Sequence, residues 1–194
     1  MKSYDYYLNS QISETWAGAP NVFDPNECEK IIKLGNNETF KEGLVNSGSS
    51  DPIRKSQIFF IESSDLENSW IFERCADIIQ NINYDFFQFD LQKIEVLQVG
   101  KYESKDSGYY GKHIDAFRQS GIFRKLSFSV QLSRSEDYKG GDLLLHLGKD
   151  PDVAPRDKGS ITVFPSYTLH EVTPVTKGTR YSLVGWVTSA TKFK

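Results

Sequence analysis

His113-Ile114-Asp115 sets an imidazole and a carboxylate two residues apart, and downstream stand a second imidazole, His170, and a guanidinium, Arg180. In an extended strand alternate side chains share a face, so His113 and Asp115 are expected to point the same way and Ile114 away. Two histidines and one carboxylate form the set that binds non-heme Fe(II) on one face and leaves coordination positions open. The wide gap to His170 requires a second strand to carry that ligand alongside. Arg180 and Ser182 would share a face of a third strand, where an arginine fork and a hydroxyl suit a carboxylate. An arginine buried among Val175, Leu183 and Val184 needs an anion to neutralise it. The alternative is an internal salt bridge or an exposed position at the strand start. The combination points to oxygen-activating iron chemistry with an acidic co-substrate.

The remaining histidine, His146, follows Leu143-Leu144-Leu145 in the same expected strand. It reads as an ordinary strand histidine, with membership of a three-histidine site as the alternative.

Bringing these residues together takes several strands, and the second half of the chain supplies them. Alternating or β-branched segments are expected as strands over 91–102, 125–133, 141–147, 160–164, 170–175 and 179–188, punctuated by Gly, Pro and Asp. The first half reads differently. Residues 1–21 are expected to form a leading strand or arm. Asp24-Pro25-Asn26-Glu27 carries a cap, a first-turn proline and a Glu three residues on, which opens a helix. Ile31, Ile32 and Leu34 form its apolar face, and Gly35 with Asn36 ends it. Leu66, Trp70, Ile71, Cys75, Ile78, Ile79 and Ile82 recur at helical spacing between Asp65 and Asn83. A strand is expected over 56–62, and residues 41–56 and 148–158 read as surface loops. Helices first and strands afterwards imply an α+β chain with a β-sandwich or jelly-roll core. The whole chain is expected to be one domain, a helical support region over 1–90 and the core over 91–189.

At 194 residues the chain is long enough for a substantial core, and its 13 Phe, 10 Tyr and 3 Trp predict an aromatic-rich one. A formal net charge of −3 offers no electrostatic case for nucleic acid. Cys28 and Cys75 have no metal-ligand spacing and read as two buried reduced thiols. Met1-Lys2-Ser3-Tyr4-Asp5 lacks an apolar segment behind it, and no run approaches ~18 apolar residues. No membrane partner and a cytoplasmic location are therefore expected.

The chain resembles the Fe(II)/2-oxoglutarate-dependent dioxygenases, and within them the prolyl 4-hydroxylase-like group that includes bacterial PKHD-type hydroxylases. The resemblance runs through Leu97-Gln98-Val99-Gly100-Lys101-Tyr102, Gly108 to Asp115, Leu126 to Ser133, Gly140-Gly141-Asp142-Leu143, Gly159 to Pro165, His170-Glu171-Val172 and Gly178-Thr179-Arg180-Tyr181-Ser182. It is looser over 24–35 and at Arg54-Lys55-Ser56-Gln57. It implies a double-stranded β-helix (cupin-like) core with N-terminal supporting helices. Iron would be held by His113, Asp115 and His170, with 2-oxoglutarate and O2 as co-substrates and ascorbate as a candidate reductant. Arg180 matches the basic residue that grips the distal carboxylate, and Tyr102, Leu143 and Ser182 fall around the same co-substrate. Gln131 stands where several relatives carry a tyrosine for that carboxylate. Tyr110 and Trp186 match aromatic positions near the substrate, and Arg124 could meet a substrate backbone; as alternatives, the aromatics are ordinary core residues. The implied reaction converts 2-oxoglutarate to succinate and CO2 while hydroxylating a C–H bond. Asp115 argues for hydroxylation, since related halogenases lack this carboxylate. The implied partner is a prolyl residue in a peptide or protein. The alternatives are a free amino acid or small metabolite as substrate, or a non-catalytic metal-containing jelly-roll binding module. Whether the chain is a monomer or homodimer stays open.

Overall fold

The computed structural model describes residues 15–35, 39–43, 53–116, 118–119, 121–191 and 193. Residues 1–14 of the expected leading arm, Asn36 of the expected helix stop and 44–52 of the first expected loop lie outside them. The described chain begins with β1 (Ala17–Ala19), α1 (Pro25–Lys33), β2 (Lys41–Glu42), β3 (Arg54–Lys55), β4 (Gln57–Ile61) and α2 (Ser69–Ile82). There follow β5 (Lys93–Glu103), β6 (Tyr109–His113), β7 (Arg118–Gln119), β8 (Ile122–Gln131), β9 (Tyr138–Gly140) and β10 (Leu143–Leu145). The last four strands are β11 (Asp152–Val153), β12 (Ile161–Pro165), β13 (His170–Val172) and β14 (Val175–Ser189).

The strands make two antiparallel sheets of a jelly roll. The larger runs β1-β12-β8-β14-β5-β4-β2, with β7 beside β8 and β9 beside β14; the smaller runs β11-β10-β13-β6-β3. The larger sheet's two faces have different jobs, and alternation along the central strands assigns them. Leu126, Phe128 and Val130 of β8, Leu183 and Val187 of β14, and Leu97 and Val99 of β5 turn to one side. There they share a core with Cys28 and Ile31 of α1 and Ile71, Cys75, Ile79 and Ile82 of α2. Ser127 and Ser129 of β8, Ser182, Val184 and Trp186 of β14, and Gln98 of β5 turn to the other side and line a cavity between the sheets. Each buried aliphatic side chain on the helix side contributes roughly 1.5–3 kcal/mol.

Both helices form where the spacing predicts them. Asp24 accepts hydrogen bonds from the backbone N–H groups of Asn26 and Glu27 at 2.7 and 2.8 Å, and Glu27 accepts one from the Asp24 N–H at 2.9 Å. This reciprocal cap satisfies donors that the first turn leaves unpaired. Cys28 and Cys75 are buried free thiols, with burial raising them to about 11 and about 12. Among the described residues no helix is long and apolar enough to cross a membrane.

Three segments depart from the expectation. The strand expected over 170–175 ends at Val172, and β14 starts at Val175 and continues through Gly178, which sits at φ +70°. A Cβ there would fall 2.0 Å from the Asp137 carbonyl oxygen, so the turn of β14 against β9 needs glycine. The expected surface loop over 148–158 is tied down: β11 pairs with β10, Ala154 is buried, and Arg156 bonds Asp142 at 2.8 Å. The first 90 residues also contribute more than helices, since β1 to β4 extend both sheets.

Candidate metal centre and co-substrate pocket

β6 and β13 are antiparallel neighbours in the smaller sheet, and their register sets His113 directly opposite His170. Asp115 does not continue β6 as the alternation predicts. The strand ends at His113, and the Asp115 N–H donates instead to the carbonyl of Ser166, beyond β12, at 2.9 Å. That detour still brings the carboxylate to the imidazoles. Asp115 Oδ1 lies 3.8 Å from His113 Nε2, and its Oδ2 lies 3.4 Å from His170 Nε2. The three candidate ligand atoms all lie within 4.8 Å of one another.

The backbone chooses which imidazole nitrogen faces the centre. His113 Nδ1 lies 2.8 Å from the Gly111 carbonyl and His170 Nδ1 2.9 Å from that of Thr168. A carbonyl only accepts, so each Nδ1 carries the proton and each Nε2 lone pair is free for a metal. Asp115 is oriented likewise. Ser127 Oγ donates to its Oδ2 at 2.8 Å, and the buried Ser166 hydroxyl, 3.0 Å from Ser127 Oγ, can donate in turn. A set of two neutral imidazoles and one carboxylate, all on one side, fits Fe(II) with open positions. His146 is not part of it. Its Nε2 pairs with Glu171 at 2.8 Å, which rules out the three-histidine alternative.

Burial, and next the adjacent His170, push the His113 imidazole down to about 4, against the opposing pull of Asp115 and the bond to Gly111. The folded chain therefore takes up this proton at lower pH than the unfolded chain, whose histidine titrates near its ordinary 6.5. Stability from the neutral ring is present above that value and is lost as pH falls toward about 4. The metal-free protein is expected to melt at a lower temperature at pH 5 than at pH 7, with a smaller drop in His113→Gln. Equal drops in both proteins would mean that the ring is not held neutral.

A cavity of about 520 Å3 opens from this centre between the sheets, a size usual for small-molecule sites. Arg180 lies at its far end, 3% exposed. It donates to Ser182 Oγ at 3.3 Å, and its guanidinium carbon stands 5.5 Å from the Tyr102 ring centroid. Among the described residues no carboxylate pairs with it, so the internal salt bridge weighed as the alternative is not formed. A buried guanidinium facing a cavity without a counter-charge fits the acid end of a co-substrate. Tyr102, Leu143 and Ser182 line the same cavity. Gln131 lies farther back, against the Tyr138 hydroxyl.

Toward the opening, Tyr110 stacks on His113 with ring centroids 3.6 Å apart. Trp186 also lines the cavity, with the Arg124 guanidinium 4.0 Å over its ring. Arg124 is already engaged, bonding Glu95 through Nε and Nη2 at 2.8 and 2.7 Å. A substrate backbone would have to compete with that pair. Arg54 is the residue that pattern reading passes over. It is buried on β3, lies 4.5 Å over the Tyr110 ring and donates to Ser56, yet among the described residues its Nη2 has no hydrogen-bond partner. Arg54-Lys55-Ser56-Gln57 belongs to the looser resemblance, but no role is legible there, because a single Arg in a two-residue strand looks like any solvated edge residue.

Residues 97–188 match the 2OG-Fe(II) oxygenase superfamily. A PKHD-type hydroxylase of Gloeothece citriformis is 32% identical over 176 residues, which cover 88% of this chain and 76% of the relative. The chain belongs to this superfamily, in its PKHD-type hydroxylase group. A second PKHD-type hydroxylase, from Idiomarina loihiensis, is 33% identical over 175 residues, covering 89% of this chain and 77% of the relative. The hydroxylase shares its fold with a prolyl-4-hydroxylase of Pseudomonas putida at a TM-score of 0.71 and 20% identity, covering 89% and 91% of the two chains. It also shares it with a Trichoplax adhaerens prolyl hydroxylase solved with a hypoxia inducible factor peptide fragment, at a TM-score of 0.74 and 18% identity, covering 89% and 83%. Membership makes the chain an iron- and 2-oxoglutarate-dependent hydroxylase and removes the binding-module alternative.

Proposed function

We propose that this hydroxylase acts on a prolyl residue in a peptide or protein, converting 2-oxoglutarate to succinate and CO2. In this reading His113, Asp115 and His170 hold Fe(II), and Arg180 with Ser182 takes the distal acid of 2-oxoglutarate beside Tyr102 and Leu143. Bound iron supplies the oxygen activation that couples decarboxylation to C–H hydroxylation, with ascorbate as its reductant. The protein's own part is to fix the two imidazoles and the carboxylate, orient the co-substrate and keep water away from the reacting C–H bond.

The observation that carries the peptide reading is the shape of the opening. Beyond the metal centre the cavity continues past Trp186 and Val184 to Val96, Ile58 and the half-exposed Phe60 along the sheet. Gln98, Glu95 and Glu62 stand among these side chains, and a wall that mixes apolar and polar groups over three strands suits the residues flanking a target side chain. The peptide-bound Trichoplax relative lends support from the same fold. The second reading, a free amino acid or small metabolite, draws on Arg54, whose Nη2 has no partner among the described residues and pairs more strongly with a free carboxylate than with a peptide carbonyl.

Succinate release measured with prolyl peptides and with free proline separates the two. Peptides are expected to stimulate it and free proline is not, and Arg54→Met should weaken the peptide response about tenfold, as for a hydrogen bond from a charged donor. Stimulation by free proline alone would overturn the peptide reading.

A further inference from the structure

β6 stops at His113, so something other than strand alternation has to deliver Asp115, and one turn does it. β12 ends at Pro165 and β13 begins at His170. Between them Pro165 to Thr168 close a β-turn, in which the Thr168 N–H donates to the Pro165 carbonyl at 2.8 Å. Two candidate ligands take their bearings from this turn. The Thr168 carbonyl faces His170 Nδ1 at 2.9 Å, and the Ser166 carbonyl accepts from the Asp115 N–H at 2.9 Å. The turn is fixed in its own right to the larger sheet, because the Ser166 N–H donates to the Lys125 carbonyl of β8 at 3.0 Å. Asp115 and His170 are thus referred to one four-residue frame.

Ser166 reaches Asp115 a second time, through side chains. Its hydroxyl stands 3.0 Å from Ser127 Oγ, which in turn stands 2.8 Å from Asp115 Oδ2. Ser166 is fully buried and Ser127 is 2% exposed, so a hydroxyl here has to find its partner in the protein. Counting hydrogens sets the direction. A carboxylate has none to give and each serine has one, so Ser127 donates to Asp115 and Ser166 donates to Ser127. Hydroxyls linked head to tail polarise one another, which makes the last bond of the chain stronger than it would be alone. Among the described residues no hydrogen bond reaches Asp115 Oδ1, the oxygen 3.8 Å from His113 Nε2. The relay therefore holds one carboxylate oxygen and leaves the other open to the centre.

We propose that Ser166 is a positioning residue of the metal centre. Its carbonyl sets the main chain of Asp115, and its hydroxyl, acting through Ser127, keeps the carboxylate from rotating. The proposal rests on the reading of His113, Asp115 and His170 as metal ligands.

The test is titration of the protein with Co(II) alone, followed by its visible absorption, whose bands report the geometry of the ligands. Ser166→Ala and Ser127→Ala each remove one hydroxyl and keep the main-chain bonds, so both should fold, which melting curves of the metal-free variants will check. A loss of about tenfold or more in Co(II) affinity in both, with displaced bands, supports the proposal. The double variant should bind no more weakly than Ser127→Ala, because the relay is already broken there. Losses that multiply in the double variant overturn the relay, and so does an unchanged affinity in Ser166→Ala. A lower melting temperature with affinity and bands unchanged marks a merely structural role and overturns it too. Asp115→Ala in parallel should fail to bind at Co(II) concentrations that saturate the parent. If it binds as the parent does, the reading of the metal ligands has itself failed, and the proposal for Ser166 falls with it.

Discussion

His170→Ala is expected to lose Fe(II) binding and all iron-dependent turnover while keeping its fold. His170 is one of three candidate ligands, and its Nε2 is 3.4 Å from Asp115 Oδ2. Removing a group that merely orients a ligand typically costs about 10–100-fold in metal affinity or activity, and removing a ligand should cost more. The fold should survive because His170 faces the cavity on a strand whose main-chain pairing to β6 and β10 does not need the imidazole. Asp115→Ala should behave the same way, since it removes the site's one carboxylate and leaves the Ser127 hydroxyl without its acceptor. Metal content after dialysis, succinate release and circular dichroism together check the expectation. Stoichiometric iron with undiminished turnover in either variant would remove this centre from the mechanism.

Arg180→Met should produce two effects of opposite sign. The requirement for 2-oxoglutarate should rise by about ten- to a hundredfold, since a hydrogen bond to a charged group contributes roughly 1.5–3 kcal/mol. The protein without co-substrate should melt no lower than the parent, and higher if the apolar replacement packs well. A guanidinium buried with one hydroxyl partner and no carboxylate is costly to hold, whereas methionine has nothing to desolvate. Excess 2-oxoglutarate should then raise the melting temperature of the parent far more than that of the variant. A lower melting point together with an unchanged 2-oxoglutarate requirement would make Arg180 a structural cation, and the acid end of the pocket would have to be sought elsewhere.

The candidate site residues were more legible than the paths that deliver them. His113, His170 and Arg180 stand out because their types are scarce in strand-like surroundings, and one ligand set explains all three. The cap at Asp24 and the periodicity leading to α2 are local signals, so they survive into the structure nearly residue for residue. Asp115 reaches the expected ligand cluster by a different geometry from the one alternation predicts. Its place depends on a bond to Ser166, far along the chain, which no local alternation encodes. The setting of Arg54 was out of reach for a related reason. It sits on a strand of two residues, and its surroundings come from Tyr110, brought close only by the fold. The segment over 148–158 has loop composition, and two residues paired with β10 suffice to make it part of the sheet.

The two-faced character of β8 and β14 divides the mutational future of this protein by parity. At Leu126, Phe128, Val130 and Leu183 a substitution is judged by whether the chain still folds. At Ser127, Ser129, Gln131 and Ser182, one step along the same strands, it is judged by what the enzyme still recognises. Changes at the second set therefore act on the candidate metal centre and the co-substrate end of the cavity, and not on the core shared with the helices. Inserting or deleting a single residue in either strand would exchange the two sets, placing serines against the helices and aliphatics around the candidate iron ligands. Length changes in this hydroxylase should accordingly be tolerated in the connections and purged from these two ribbons.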